Sequence, residues 1–197
     1  MSHIKEIVEY INTQILASSL ADSRFTPNMN GIAVSVPTEG VTGTYLPLYI
    51  NSDEEGQYLG LDDIYNIQVY HKNNGIAWQA VQDIQFGDGN KYYKRSAQMS
   101  LIAFAFRKPL GLTAEELDML LTAGIPANLP ATMLQHYNLN QALITLTGSN
   151  FDQFNLYKRE FQNSNLPVLP VTDIIMLEIK YKIDIILRKD CVNVLSC

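Results

Sequence analysis

The side chains best equipped for chemistry stand far apart in this sequence: His3, His71 and His136, the carboxylates of Asp53-Glu54-Glu55 and Asp62-Asp63, and the thiols of Cys191 and Cys197. Imidazoles and thiols make a metal site when they recur at short, regular spacings, and none of these positions has such a neighbour. A nucleophile of the Gly-x-Ser-x-Gly kind is missing as well. The histidines therefore read as surface or turn residues, His71 because it adjoins Asn73-Asn74-Gly75 and His3 because it precedes the first helix. The paired carboxylates suit acid-base work or a divalent cation, but neither group has calcium-loop spacing. They read as a solvated acidic loop, with cation binding at a subunit junction as the sharper alternative. Gly87-Asp88-Gly89 lacks the strand-to-helix context of a phosphate loop and reads as a turn. Two thiols so near the C-terminus form no disulfide framework and read as a reduced pair. The sequence is read as non-enzymatic, with no catalytic residue, no metal site and no cofactor.

Composition narrows the partners. Twenty acidic against fourteen basic side chains give a formal charge of −6, and tight binding to a phosphate backbone needs clustered Lys and Arg instead. The densest basic run, Lys91, Lys94 and Arg95 around Tyr92 and Tyr93, reads as the start of a strand with snorkelling cations rather than a stacking platform. Apolar residues make up 47% and charged ones only 17%, below the usual quarter, so the chain has material for a core and a charge-poor polar surface. Such a surface suits burial against partner subunits. The opening Met-Ser-His-Ile-Lys-Glu has no apolar run before a small-residue cleavage site, so no secretory signal is expected, and no segment is apolar enough to span a membrane.

The elements that must position these residues follow from periodicity. Ile4, Ile7, Val8, Ile11 and Ile15 predict an amphipathic helix, with Ser2 as its cap. Residues 32–36 predict a strand, and residues 37–63 a long loop insertion with strand-like 45–50 inside it, a candidate contact surface. Residues 64–71 and 76–86, on either side of Asn73-Asn74-Gly75, predict two strands joined by a turn. Gly87-Asp88-Gly89-Asn90 then leads to a third strand over 91–107, completing a meander whose last member is apolar on both faces. Thr113-Ala114-Glu115-Glu116 is a capping box with Leu112 and Leu117 placed as a staple, so a helix starts there and stops at Gly124. A second helical piece is expected over 130–137, then strands over 142–147, 151–161 and 174–188. In the last of these, Leu177, Ile179, Tyr181, Ile183, Ile185 and Leu187 alternate with Glu178, Lys180, Lys182, Asp184 and Ile186. That is one apolar and one mostly wet face, which carries both signs of charge. The expected fold is a single α+β domain over 1–197. A mostly antiparallel sheet, made of the meander and two long closing strands, packs against the N-terminal helix and the central capped helix, and a short tail covers 189–197.

In this order of elements the chain resembles the tail-terminator and head-tail completion proteins of long-tailed bacteriophages. The likeness rests on the helix over 4–16, the meander over 64–107, the capped helix over 113–122, and two closing strands matched to 151–161, centred on Tyr157-Lys158-Arg159, and 177–187. The resemblance implies a structural virion protein, assembled in the host cytoplasm. It implies a sixfold homo-oligomeric ring between portal-bound connector and tail tube that lets DNA pass without sequence-specific binding. A net acidic chain suits a lumen that must not hold the genome. In that setting the expected interface residues are Tyr45, Leu46, Leu48 and Tyr49 in the long loop, and Tyr157, Arg159 and Phe161 on the penultimate strand. Lys180 and Lys182 on the last strand join them, their mixed-charge face suiting pairing between subunits. Two alternatives stay open. One is a small-ligand-binding or enzymatic α+β barrel with a pocket between meander and closing strands, walled by Trp78, Tyr92 or Tyr93. The other is a chromosomal adaptor with no place in a virion.

Overall fold

The computed structural model describes residues 2–37, 45–50, 56–59, 64–82, 91–161 and 173–188. The two acidic groups at 53–55 and 62–63, the turn at 87–90 and both cysteines lie outside the described residues. The fold is α+β. Helix α1 (Ser2–Ser18) is followed by strands β1 (Pro27–Pro37), β2 (Tyr45–Ile50), β3 (Gly56–Tyr58), β4 (Ile67–Gln82) and β5 (Lys91–Phe106). Helices α2 (Arg107–Leu110), α3 (Ala114–Gly124) and α4 (Ala131–His136) come next, then β6 (Gln141–Asn150), α5 (Gln153–Glu160) and β7 (Ile174–Arg188). The strands form one open seven-stranded sheet in the order β3-β2-β1-β4-β5-β7-β6. Every pairing is antiparallel except β1 with β4.

The apolar stripes decide which face each element buries. Ile7, Val8, Ile11 and Ile15 of α1 are fully buried and share one core with Leu117 and Leu121 of α3. The same core takes the alternate residues Ile67 and Val69 of β4, Met99 and Leu101 of β5, and Leu177 to Leu187 in steps of two on β7. Each such side chain contributes roughly 1.5–3 kcal/mol relative to exposure. The predicted capping box is present: Thr113 Oγ1 accepts from the Glu116 N–H at 3.2 Å while Glu116 Oε2 accepts from the Thr113 N–H at 2.8 Å. Gly124 closes α3 for a different reason than a left-handed turn. A Cβ there would stand 2.7 Å from the Ile15 Cα, so the glycine lets α1 and α3 touch backbone to backbone. A second, smaller core on the opposite face joins Tyr70, Ile102, Phe104 and Met176 to Leu156 and Phe161.

Several expectations need correction. Asn73-Asn74-Gly75 is not a turn: β4 runs straight through it as a 16-residue strand with a bulge between Asn73 and Gly75. Gly75 holds φ 153°, and Asn73 Oδ1 accepts the Gly75 N–H at 3.0 Å. The local turn chemistry is real, but β5 offers partners to both halves of β4, and a continuous ladder leaves only a bulge to satisfy. The expected three-stranded meander is therefore a two-stranded ribbon, β4 with β5, and the third neighbour is β7. Residues 151–161 are not a strand either. Asp152 caps a helix there, its Oδ1 accepting from the Asn155 N–H at 3.2 Å, and Leu156 and Glu160 four residues apart point inward together. The two closing strands are thus β6 and β7. β1 begins at Pro27, earlier than expected.

Candidate functional site

The sheet forks at β1. From Pro27 to Ile32 this strand pairs with β4, ending at Ile32↔His71, and from Ala33 to Pro37 it pairs with β2 on its other side, starting at Ala33↔Tyr49. β4 continues past His71 with β5 alone, so the two strands part and leave a cleft of about 640 Å³. One bank consists of Ile32, Ala33, Val34 and Ser35 from β1, the other of Lys72, Asn73 and Ile76 from β4. Ile4 and Lys5 at the start of α1 form the floor with Arg95, and Tyr49 and Ile50 rise beside the β1 bank. The walls are largely apolar.

Behind Lys72 lies a buried ionic cluster that pins α5 to the sheet. Glu160, on α5, accepts from Tyr70 Oη at 2.7 Å, Lys72 Nζ at 3.0 Å and Arg159 Nε at 2.7 Å. Arg159 Nη1 also donates to Glu178 Oε2 at 3.1 Å, and Glu178 Oε1 accepts from Ser100 Oγ at 2.6 Å. Burial alone would raise the Glu178 pKa, but the Arg159 and Ser100 hydrogen bonds outweigh it and hold the carboxyl below its ordinary range. Burial and the Glu160 carboxylate push the Tyr70 hydroxyl well above 10.0, so it stays a donor.

On the helix-covered face His71 is completely buried, which corrects its reading as a surface or turn residue. The Asn30 carbonyl can only accept, so the Asn12 amide nitrogen, 3.0 Å away, donates to it. Asn12 Oδ1 then faces His71 Nε2 at 2.8 Å. Nε2 therefore carries the proton, and Nδ1 accepts from Tyr181 Oη at 2.7 Å. Burial pushes the His71 pKa down to about 3, so the ring is a neutral strut between α1, β1, β4 and β7. The equivalent strut could have been found by noting that His71, like Val69 and Ile67, falls on the apolar register of β4.

A third surface borders β6. Beyond the Asn128↔Leu143 bridge, the outer edge of β6 has no strand partner among the described residues. Leu143 and Leu146, opposite Asp184 and Tyr181 and so on opposite faces, flank this edge; Phe151 and Phe154 follow, and all four are exposed, Phe154 by 63%. Sequence periodicity missed these phenylalanines as surface residues.

The expected interface residues fall in different places. Tyr45 and Leu46 lie on β2 with their side chains outside the described set, Leu48 is half-buried beside Gly56, and Tyr49 is half-buried between the cleft and the second core. Tyr157 is half-buried and stacks on Phe161 at 5.0 Å, while Phe161 is buried against Phe104 at 5.4 Å. Arg159 serves the ionic cluster. Lys180 is exposed, and Lys182 pairs within the chain with Asp184 at 3.0 Å, as does Lys94 at 2.8 Å. The mixed charges of β7 are thus largely matched on the strand's own face. Among the described residues, β5 and β7 pair without interruption from Tyr92↔Arg188 to Phe106↔Ile174, so no gap opens between these two strands. Trp78 lies on β4 and Tyr92 on β5, their side chains not among those described, and Tyr93 is half-buried. His3 and His136 flank Tyr137, at 5.3 and 4.7 Å between ring centroids. Among the described residues no group of three or more His, Cys, Asp or Glu could hold a metal ion, and no helix is long and apolar enough to cross a membrane. A scan against protein-family models gives no match to this chain, and a search of curated proteins gives none.

Proposed function

We propose that this protein is a non-enzymatic ring subunit of a phage virion, placed at the head-tail junction as a tail terminator or related neck protein, with connector and tail-tube proteins as its axial partners. The observation that carries the oligomeric part is the β6 border. Past the Asn128↔Leu143 bridge, the strand edge has no strand partner among the described residues, exposed Leu143 and Leu146 stand on its two faces, exposed Phe151 and Phe154 follow in the chain, and such an edge suits a neighbouring chain. The sheet ends at β3 on one side and β6 on the other, so a contact joining these unlike edges is head-to-tail, and a head-to-tail contact that closes makes a ring. The head-tail location is supported by that part of the resemblance's element order which the fold keeps, the amphipathic helix first, the capped helix after the sheet and the long last strand over 177–187, whereas 151–161 is a helix. The net charge of −6 suits a channel that passes DNA without holding it.

Negative-stain imaging of the purified chain, alone and mixed with tail-tube or connector subunits, tests the reading. Rings, or rings formed on those partners, are expected. A monomer that binds neither partner would rule the assignment out.

A further inference from the structure

The cleft at the fork is bounded by a strand edge and not by a strand face. Successive side chains of a strand point to opposite faces, so Ile32, Ala33, Val34 and Ser35 can all line one cleft only if it lies along the β1 backbone between them. The same holds for the neighbours Lys72 and Asn73 on the opposite bank. Past Ile32↔His71, neither the edge of β1 that faced β4 nor the edge of β4 that faced β1 has a strand partner among the described residues. Backbone groups along such edges are a template for strand addition. The free stretch of β1, Ala33 to Pro37, spans about 16 Å, enough for a strand of about five residues.

The lining also states what an added strand should carry. Ile4, Ile32, Val34, Ile50 and Ile76 offer apolar contacts, with Val34 and Ile50 each 49% exposed. The charged groups among the described lining residues are Lys5, Lys72 and Arg95, all cations, in a chain whose net charge is −6. Lys72 already serves Glu160 behind the wall, and Lys5 lines the cleft from the first turn of α1.

We propose that the fork between β1 and β4 is a docking site for an extended segment of a partner protein, alternating apolar and acidic residues, which adds as a strand along the freed β1 edge. A small amphipathic anion would use the same apolar walls and cations but has no need of the edge. The backbone lining therefore favours the peptide.

The test is fluorescence anisotropy of the full-length protein with a labelled eight-residue peptide alternating Val and Glu. The comparison peptides are the same sequence N-methylated on alternate amides along one edge and a counterpart alternating Val and Lys. Saturable binding of the acidic peptide is expected, weakened at least about tenfold by N-methylation, since tenfold corresponds to about 1.4 kcal/mol, the scale of one or two backbone hydrogen bonds. Val34→Glu and Lys5→Glu, at exposed and half-buried positions, should each weaken it while leaving the circular dichroism spectrum unchanged. The proposal is overturned by absence of saturable binding, by equal binding of the N-methylated or Lys peptide, or by dodecanoate saturating the cleft while the peptide does not. It is also overturned if the cleft is already occupied by a second copy, seen as self-association that Val34→Glu abolishes and that excludes the peptide.

Discussion

At the scale of single residues, the strongest internal constraints are two polar groups kept inside the sheet. His71 is neutral when folded because burial holds its pKa at about 3, against 6.5 when the chain is open to water. Between these values the unfolded chain binds the extra proton, so stability should be fully present above pH 6.5 and fall as the pH drops toward 3, by up to about 1.4 kcal/mol per pH unit. Urea midpoints measured across that range check the slope. His71→Phe should flatten this contribution while lowering stability at pH 7, because Asn12 and Tyr181 then lose a buried partner at about 1–3 kcal/mol each. Arg159 acts through charge, and its contribution likewise fades as the pH falls. Arg159→Met leaves buried Glu160 and Glu178 short of a cation, destabilising by about 3 kcal/mol at pH 7. That loss should shrink on acidification as the Glu178 carboxyl, which Arg159 holds below its ordinary range in the parent, takes up its proton, read as the difference from the parent so that His71 cancels. The inward register of His71 was legible on β4, but the partners in neither cluster were. The partners of His71 come from 59 and 110 residues away, and Glu160 meets Tyr70 across 90, distances over which spacing carries no signal.

At the scale of elements, what was legible is what local chemistry alone decides. The isoleucine stripe of α1, the capping box of α3 and the alternation of β7 are each complete within their own segment, and each forms as read. What failed depended on neighbours. The Asn73-Asn74-Gly75 signal marks a bend, but whether it becomes a turn or a bulge depends on β5, and β5 pairs straight across it. The aromatic residues of 151–161 favour a strand, yet the Asp152 cap and the inward pair Leu156 and Glu160 make α5. Gly124 was legible as a helix stop but not as a contact. A methyl group there meets the Ile15 Cα at 2.7 Å and Ser19 Oγ at 2.8 Å, and backbone cannot yield as a side-chain end can. Gly124→Ala should therefore destabilise by about 1–3 kcal/mol, seen as a lower melting temperature, although alanine is the better helix former.

At the scale of the whole molecule, one sheet carries two differently finished faces and two unlike ends. The face toward α1 and α3 is closed over a large core. On the other, α5 lies over Glu178 and Phe104, and the charges of β7 beyond it are matched by Lys94 and Lys182 on Asp184. Reversing Lys180 and Lys182 should spare the fold, and its effect on assembly measures how far this face takes part, with sedimentation as the readout. The β6 border differs in being apolar and open. Replacing Leu146 and Phe154 together by Glu puts charge on two side chains that are 45% and 63% exposed, so the monomer should fold with its spectrum unchanged. Sedimentation velocity of the parent chain and this double variant, over a hundredfold range of concentration, tests the ring subunit most directly. A ring subunit gives a closed oligomer of fixed stoichiometry for the parent and a monomer for the variant. A parent that stays monomeric throughout, or a variant that assembles as the parent does, would contradict it.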